Sequence, residues 1–218
     1  MKAWYFSSDD RRLRHGDGRE IRLGETHEVS GEIEMCKNGL HASKKAIDAL
    51  YYAPGTIVYR VELSGEIKKG EDKLVAQKRT YLSGGIDVSE TLRKFARMCA
   101  LNVVDMWEAP EVVIRYLKTG DKSIRAAAWA AARDEARGAA RDAARTAARD
   151  EAPAAALAAA RATARGAARA TALAAAKDDA LDAAYTASWD EARRKQNKRL
   201  TAMIARAIRD ANFGGTND

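Results

Sequence analysis

From about residue 125 to residue 196 the chain repeats every four residues, a period that a straight α-helix cannot keep on one face. Ala closes almost every tetrad, and Arg or a bulky residue opens the next: Trp129, Arg133, Arg137, Arg141, Arg145 and Arg149 lead into Pro153, Leu157, Arg161 and, further on, Leu181, Tyr185 and Trp189. Ala has the highest helix propensity and Arg stands close behind it, so the tract is read as helical. Four residues turn about 400°, which makes a strict tetrad row drift about 40° per step. A short helix tolerates that drift, because over three or four tetrads the row is the inclined i±4 ridge that packs at a steep crossing angle. Several stacked Ala-rich helices are therefore expected, with breaks available at Gly138, Pro153 and Gly166, the one near Ala152 being the firmest. A single kinked long helix that pairs with another chain is the alternative. An eight-residue overtone, RDEARGAA then RDAARTAA then RDEAPAAA, fits an array whose units bury their apolar surface only against neighbours.

The first hundred residues are punctuated differently. Ala3 to Phe6, Ile33 to Cys36, Thr56 to Leu63 and Lys73 to Leu82 read as strands; in the third, Ile57, Tyr59, Val61 and Leu63 share one face and Arg60 and Glu62 the other. Ser43 is expected to cap a short helix with Ala46, Ile47, Leu50 and Tyr51 as its apolar stripe, ended by Pro54-Gly55. Ser83-Gly84-Gly85 should close the last strand. From Ser89 the period turns helical through Met106, Pro110 opens a second helix that Thr119-Gly120 stops, and Asp121 or Ser123 caps the Ala-rich segment. The expected class is α+β: a mixed module over 1–88, bridging helices over 89–120, an all-α tetrad-repeat domain over 121–211 and a disordered tail over 212–218. Trp129, Leu157, Leu173, Leu181, Tyr185, Trp189, Leu200, Met203 and Ile204 are the apolar residues available to the repeat's core.

The net charge of +7 arises mainly in the Ala-rich part, since residues 1–120 carry 20 Lys and Arg against 18 Asp and Glu, and residues 121–218 carry 18 against 13. Asp134, Asp142 and Asp150 interrupt the Arg run, which favours a solvated or protein-facing row over a nucleic-acid groove. Arg133, Arg137, Arg141, Arg145 and Arg149 are the candidate interaction residues. Two cysteines, Cys36 and Cys99, are too few for a disulfide framework. With no apolar leader in MKAWYFSSDDRRLRHGDG and no uninterrupted apolar run, a cytoplasmic protein with no membrane contact is expected.

The one compact polar motif is Cys36-Lys37-Asn38-Gly39-Leu40-His41-Ala42-Ser43, between a strand and a helix. Cys36, His41, His27 and Cys99 are the potential soft metal ligands, but the lone spacing of Cys36 and His41 is not that of a metal site, and no metal is expected. His41 could activate Cys36 or Ser43, with no third residue fixed by spacing. A histidine that ties the loop to its neighbours is the simpler reading.

This motif, the Tyr52-Ala53-Pro54-Gly55 turn, IVYRVEL-x-GEI, TLRKFARMCAL, the YLKTGDKSIRAAAW junction, the Ala/Arg repeat and the closing QNKRL together resemble a family of uncharacterised proteins encoded by bacteriophages and prophages, notably of actinobacteria. The resemblance implies expression in the cytoplasm of a host bacterium, with a host or phage protein, or a second copy, as partner, and brings no activity or cofactor. A narrower resemblance concerns Gly39 to Ser43 and the strand ending Val61-Glu62-Leu63, which are similar to a segment of ADP-ribosyltransferase-like folds. It implies an NAD-using enzyme with His41 against nicotinamide, Ser43 at the strand end, Glu62 or Glu66 as the acid, and Arg14 or His15 as the N-terminal group. The leading expectation is a non-enzymatic accessory protein that binds through its helical repeat.

Overall fold

The structure is a computed structural model, and it describes residues 1–104, 108–134, 145, 152–175 and 181–213. The chain divides into two compact units, one formed by Met1–Ser89 with Leu200–Asp218 and the other by Glu90–Arg199. Strands and helices together make an α+β protein.

The first unit is built on a long hairpin of β4 (Ile57–Lys69) and β5 (Leu74–Asp87), with β1 (Lys2–Ser7) antiparallel to β4. On its other side β5 pairs with two short strands, β2 (Thr26–Glu28) and β3 (Leu40–Ala42). A bridge between Trp4 and Ser43 then joins the end of β3 back to β1, so β1, β4, β5 and β3 form a closed circuit. Closure satisfies edges that would otherwise template aggregation. Ala3, Tyr59, Val61, Leu63, Leu40, Ala76 and Tyr81 fill one core cluster, and the alternation anticipated for β4 is what delivers Tyr59, Val61 and Leu63 there.

Four local expectations are corrected. Ile33 to Cys36 is not a strand: the Glu34 and Asn38 amides each donate to the other residue's carbonyl, at 2.7 and 3.0 Å, closing a tight loop with Cys36 at φ +67°. Ser43 does not cap α1 (Ala46–Tyr51); its amide and carbonyl are both spent on Trp4, at 3.0 and 2.7 Å, and the N-cap is Lys45, with no side-chain cap. Gly84 and Gly85 do not end β5, which runs on to Asp87 through a bulge beside Val58 and Tyr59. At φ +101° and +70° they supply the left-handed residues that an extra residue in an antiparallel pair requires. Gly166 does not break its helix, because a lone glycine costs only about 1 kcal/mol against alanine and good helix formers flank it.

In the second unit α2 (Ser89–Leu101, which begins one residue before it), α3 (Glu111–Thr119), α4 (Arg125–Asp134) and α5 (Ala152–Ala175) follow in order. Gly120 ends α3 in the left-handed conformation and returns its amide to Tyr116 at 2.8 Å, and the Asp121 carboxylate accepts from Ser123 N at 2.9 Å to open the next turn. Pro153 lies in the first turn of α5, where its missing amide costs nothing. A disordered tail was expected over 212–218, but Asn212 and Phe213 are helical; residues 214–218 and Gly138 lie outside the described residues.

The described helices of the tract are not uniformly short: α5 has 24 residues and α6 (Leu181–Phe213) has 33. Ala152, Ala155, Ala156, Ala159, Ala160 and Thr163 are buried, a stripe that steps alternately by three and by one. Three and one sum to four, so each of its two rows still drifts about 40° per turn, but over about three turns the six positions stay within an arc of about 140°. The inward face thus uses each closing Ala and the residue before it, while Pro153, Leu157 and Arg161 are half-buried. Ala128 and Ala132 are likewise buried on α4, whereas Trp129, expected in the core, is 37 % exposed. Side chains held by small residues lie close enough for cross-helix hydrogen bonds: Thr163 Oγ1 donates to Cys99 O at 2.8 Å and Gln196 Nε2 to Ala160 O at 2.9 Å. Leu200 and Ile204 are fully buried on the part of α6 that belongs to the first unit.

The bulge yields a test. A Cβ on Gly84 would stand 2.3 Å from Val58 O, a backbone atom, whereas one on Gly24 (φ +82°) would meet open space. Gly84→Ala should destabilise by about 3 kcal/mol or more and Gly24→Ala by about 1 kcal/mol, read as urea-unfolding midpoints; equal costs would disprove the close approach.

Candidate functional site

Two polar constellations meet at β3. The outer one starts in the tight loop before the strand. Cys36 is exposed and its amide donates to His41 Nε2 at 3.1 Å. Its Sγ accepts from Lys73 Nζ at 2.8 Å, and that ammonium lies 4.6 Å over the Tyr52 ring. Tyr52 Oη donates toward both Asp72 carboxylate oxygens, at 2.8 Å each. Partial burial, then the hydrogen bond to Asp72, push the Tyr52 hydroxyl's pKa well above its ordinary 10. Tyr51 packs edge-on against Tyr52, with centroids 4.7 Å apart, and the two side by side are 47 % and 43 % exposed. Gly39 makes the turn into β3 close: at φ +131°, a Cβ there would stand 2.3 Å from Val75 Cγ2.

The inner constellation centres on Arg79, the largest fully buried side chain, 2 % exposed. Its guanidinium lies 3.7 Å over the Tyr5 ring and 5.2 Å from that of Tyr81. Nη1 donates to His41 O at 2.6 Å, while Nε and Nη2 donate to Tyr81 Oη at 3.1 and 2.8 Å. No carboxylate pairs with it among the described residues; aromatic faces and neutral oxygens carry the charge instead. Tyr81 Oη also meets His27 Nδ1 at 3.1 Å, and burial, partly offset by Arg79, leaves its pKa pushed up to about 12. His27 is 2 % exposed, and Glu25 Oε1 stands 3.5 Å from its Nε2, which makes no hydrogen bond. Register explains the assembly: Arg79 faces His27 across β2 and Leu63 across β4, in phase with Tyr81 two residues on.

The expected site residues are not gathered in one place. His41 is half-buried, with Nε2 occupied by the Cys36 amide, and burial, followed by Lys73 and Arg79, holds its pKa below the ordinary 6.5. Ser43 is buried opposite Trp4. Glu62 is exposed opposite Lys2 and Thr80, whereas His41 pairs with Val75. Those partners are five residues apart on β5, roughly 17 Å of strand rise, and they flank it on opposite sides. Glu66 stands 3.7 Å from Lys68 Nζ. Arg14 and His15 are exposed in the loop after β1, His15 at φ +62°. Arg137, Arg141 and Arg149 lie outside the described residues, as does the side chain of Arg133; Arg145 is helical and half-buried. Among the described residues no three metal-ligating side chains cluster. The Arg79 cluster was the main omission. Its one sequence signal is the two-residue step from Arg79 to Tyr81, which puts both on one face of the strand.

Residues 10–94 match the model of a domain of unknown function, DUF7666. That span takes in β2 to β5 and leaves out β1, the strand that closes the circuit. No curated protein and no solved structure matches the chain. Among the described residues, no helix is long and apolar enough to cross a membrane.

Truncating the buried arginine should be costly. Arg79→Ala strips Tyr81 Oη and His41 O of their donor and leaves a void, so a loss of about 3–5 kcal/mol in urea unfolding is expected; a loss below 1 kcal/mol would show the cluster to be peripheral. Acid should act in the same direction. Burial is the main force lowering both His27 and His41 below 6.5, so the folded state refuses a proton that the unfolded chain accepts. Their contribution is complete above pH 6.5 and is lost as pH falls below it. The urea midpoint should therefore drop between pH 7 and pH 5, and the drop should be shallower in His27→Gln.

Proposed function

We propose that the chain is a phage accessory protein that works by binding another protein. The observation that carries this reading is the pair Tyr51 and Tyr52, exposed yet held in place by their edge-on contact, by Asp72 and by Lys73. An exposed tyrosine with little conformational freedom left loses little entropy on docking, and Tyr is enriched among residues that dominate interface energies. The tetrad repeat supplies a second contact surface. On its described part the closing alanines Ala128, Ala132, Ala152, Ala156 and Ala160 face inward, and the openers Trp129, Pro153, Leu157 and Arg161 stand at or beyond the edge of the buried stripe. A partner would thus meet openers rather than the closing alanines, and the Arg rows of residues 133–149 would favour an acidic one.

On the resemblance to phage-encoded proteins, the partner is a host or phage protein in the bacterial cytoplasm, or a second copy of the chain. Tyr51→Ala/Tyr52→Ala should weaken binding at least tenfold, as expected when about 1.4 kcal/mol is lost, with the thermal midpoint little changed. The measurement is quantitative recovery from host lysate, followed by titration of the recovered partner. Equal affinity in the double variant and in a variant with Arg137, Arg141, Arg145 and Arg149 changed to Glu would refute this reading. Transfer of label from NAD that vanishes in His41→Ala would replace it with an enzyme, and steeply salt-dependent retention on DNA or RNA that the Arg reversal abolishes would replace it with nucleic-acid binding.

A further inference from the structure

The contact between Cys36 and Lys73 is not explained by folding needs. Cys36 is exposed in a tight loop and Lys73 is half-buried just before β5, 37 positions away, yet the ammonium is 2.8 Å from the sulfur. Lys73 is steered there from behind by the Tyr52 ring, which Asp72 in turn anchors. Cys36 has its own backbone fixed, since its amide is held by His41. A soft nucleophile and an amine are thus presented to each other and to solvent at once. The second cysteine provides an internal contrast: Cys99 is 1 % exposed, with burial pushing its thiol up to about 12.

We propose that Cys36 and Lys73 are a covalent modification site, a pair that closes into a sulfur–nitrogen cross-link when the thiol meets a peroxide. In the first step the thiol sulfur takes one oxygen from the peroxide, the peroxide's O–O bond breaks, and an alcohol or water leaves: RSH + R′OOH gives RSOH + R′OH. In the second, the Lys73 amine, having given one proton to solvent, attacks that sulfur. The S–N bond forms as the S–O bond breaks; the sulfenic hydroxyl leaves with an amine proton as water, giving RS–NH–R″. Sulfur is oxidised by two electrons and the peroxide is reduced by two. Sulfenic acids condense with backbone nitrogen in the same way, and such S–N bonds are reopened by thiols. The link would fasten the Cys36 loop to β5 and draw Lys73 toward the sulfur and off the Tyr52 ring.

The test uses the full chain. Reduced protein is treated with hydrogen peroxide in slight excess, and intact and peptide masses are compared. The expected product has lost about two mass units, one free thiol and the Lys73 amine, joins the peptides containing residues 36 and 73, and reverts with dithiothreitol. Cys36→Ser should give no product. Lys73→Arg keeps the positive charge but lacks the amine, so it should instead trap Cys36 as a sulfenic acid that dimedone labels, with circular dichroism reporting that the variant remains folded. Stable dimedone labelling of Cys36 in the unaltered protein, oxidation that adds oxygen without linking the two peptides, or a disulfide-linked dimer through Cys36 would each overturn the proposal.

Discussion

The β unit is organised around a positive charge held in its interior without a carboxylate partner among the described residues. An uncompensated guanidinium in an apolar core would be expelled or would open the fold. Here Tyr5 covers one face of Arg79 at 3.7 Å, Tyr81 takes two of its N–H groups and the carbonyl of His41 takes a third. Those partners come from β1, β5 and β3, so satisfying one side chain requires three strands to be in register at once. The bridge between Trp4 and Ser43 that closes the circuit lies one residue from Tyr5 and two from His41. Charge, register and closure thus depend on one another.

The helical unit meets a different constraint. Alanine buries little area, so such helices gain stability from close approach rather than from bulk. The buried stripe of α5 shows how a four-residue repeat is accommodated: each closing alanine shares the inward face with the residue before it, and the paired rows hold one broad face over about three turns. Thr163 and Gln196 then spend their polar groups on carbonyls of Cys99 and Ala160. The openers, which carry the larger and charged side chains, are left for the outer edge.

The outer site shares its strand with the inner one. The backbone of His41 serves Arg79 through its carbonyl, while its ring serves Cys36 through Nε2. A histidine used on both sides in this way positions its neighbours, which matches the simpler reading of the motif that it ties the loop down. Its separation from Glu62 follows from β3 and β4 lying on opposite sides of β5, an arrangement that spacing along the chain does not reveal.

Much of the local structure was legible because it rests on local causes. The alternation of β4, the helical period after Ser89, the stop at Gly120 and the Asp121 cap all follow from side-chain period and backbone stereochemistry. The class α+β follows from the same signals. What could not be read depends on partners distant in sequence. Ser83-Gly84-Gly85 looks like a stop, and only pairing with Val58 and Tyr59 turns it into a bulge. Ser43 looks like a cap until Trp4 claims its backbone. The burial of Arg79, the pairing of Lys73 with Cys36 and the closure of the circuit are likewise decided by register across strands. The sequence by itself determined the long strands and most of the helices, since those choices are made within a few residues, but not the short strands Thr26–Glu28 and Leu40–Ala42. Only the tertiary structure decided which polar groups meet, because hydrogen bonding and burial of charge are settled between strands that the chain order keeps far apart.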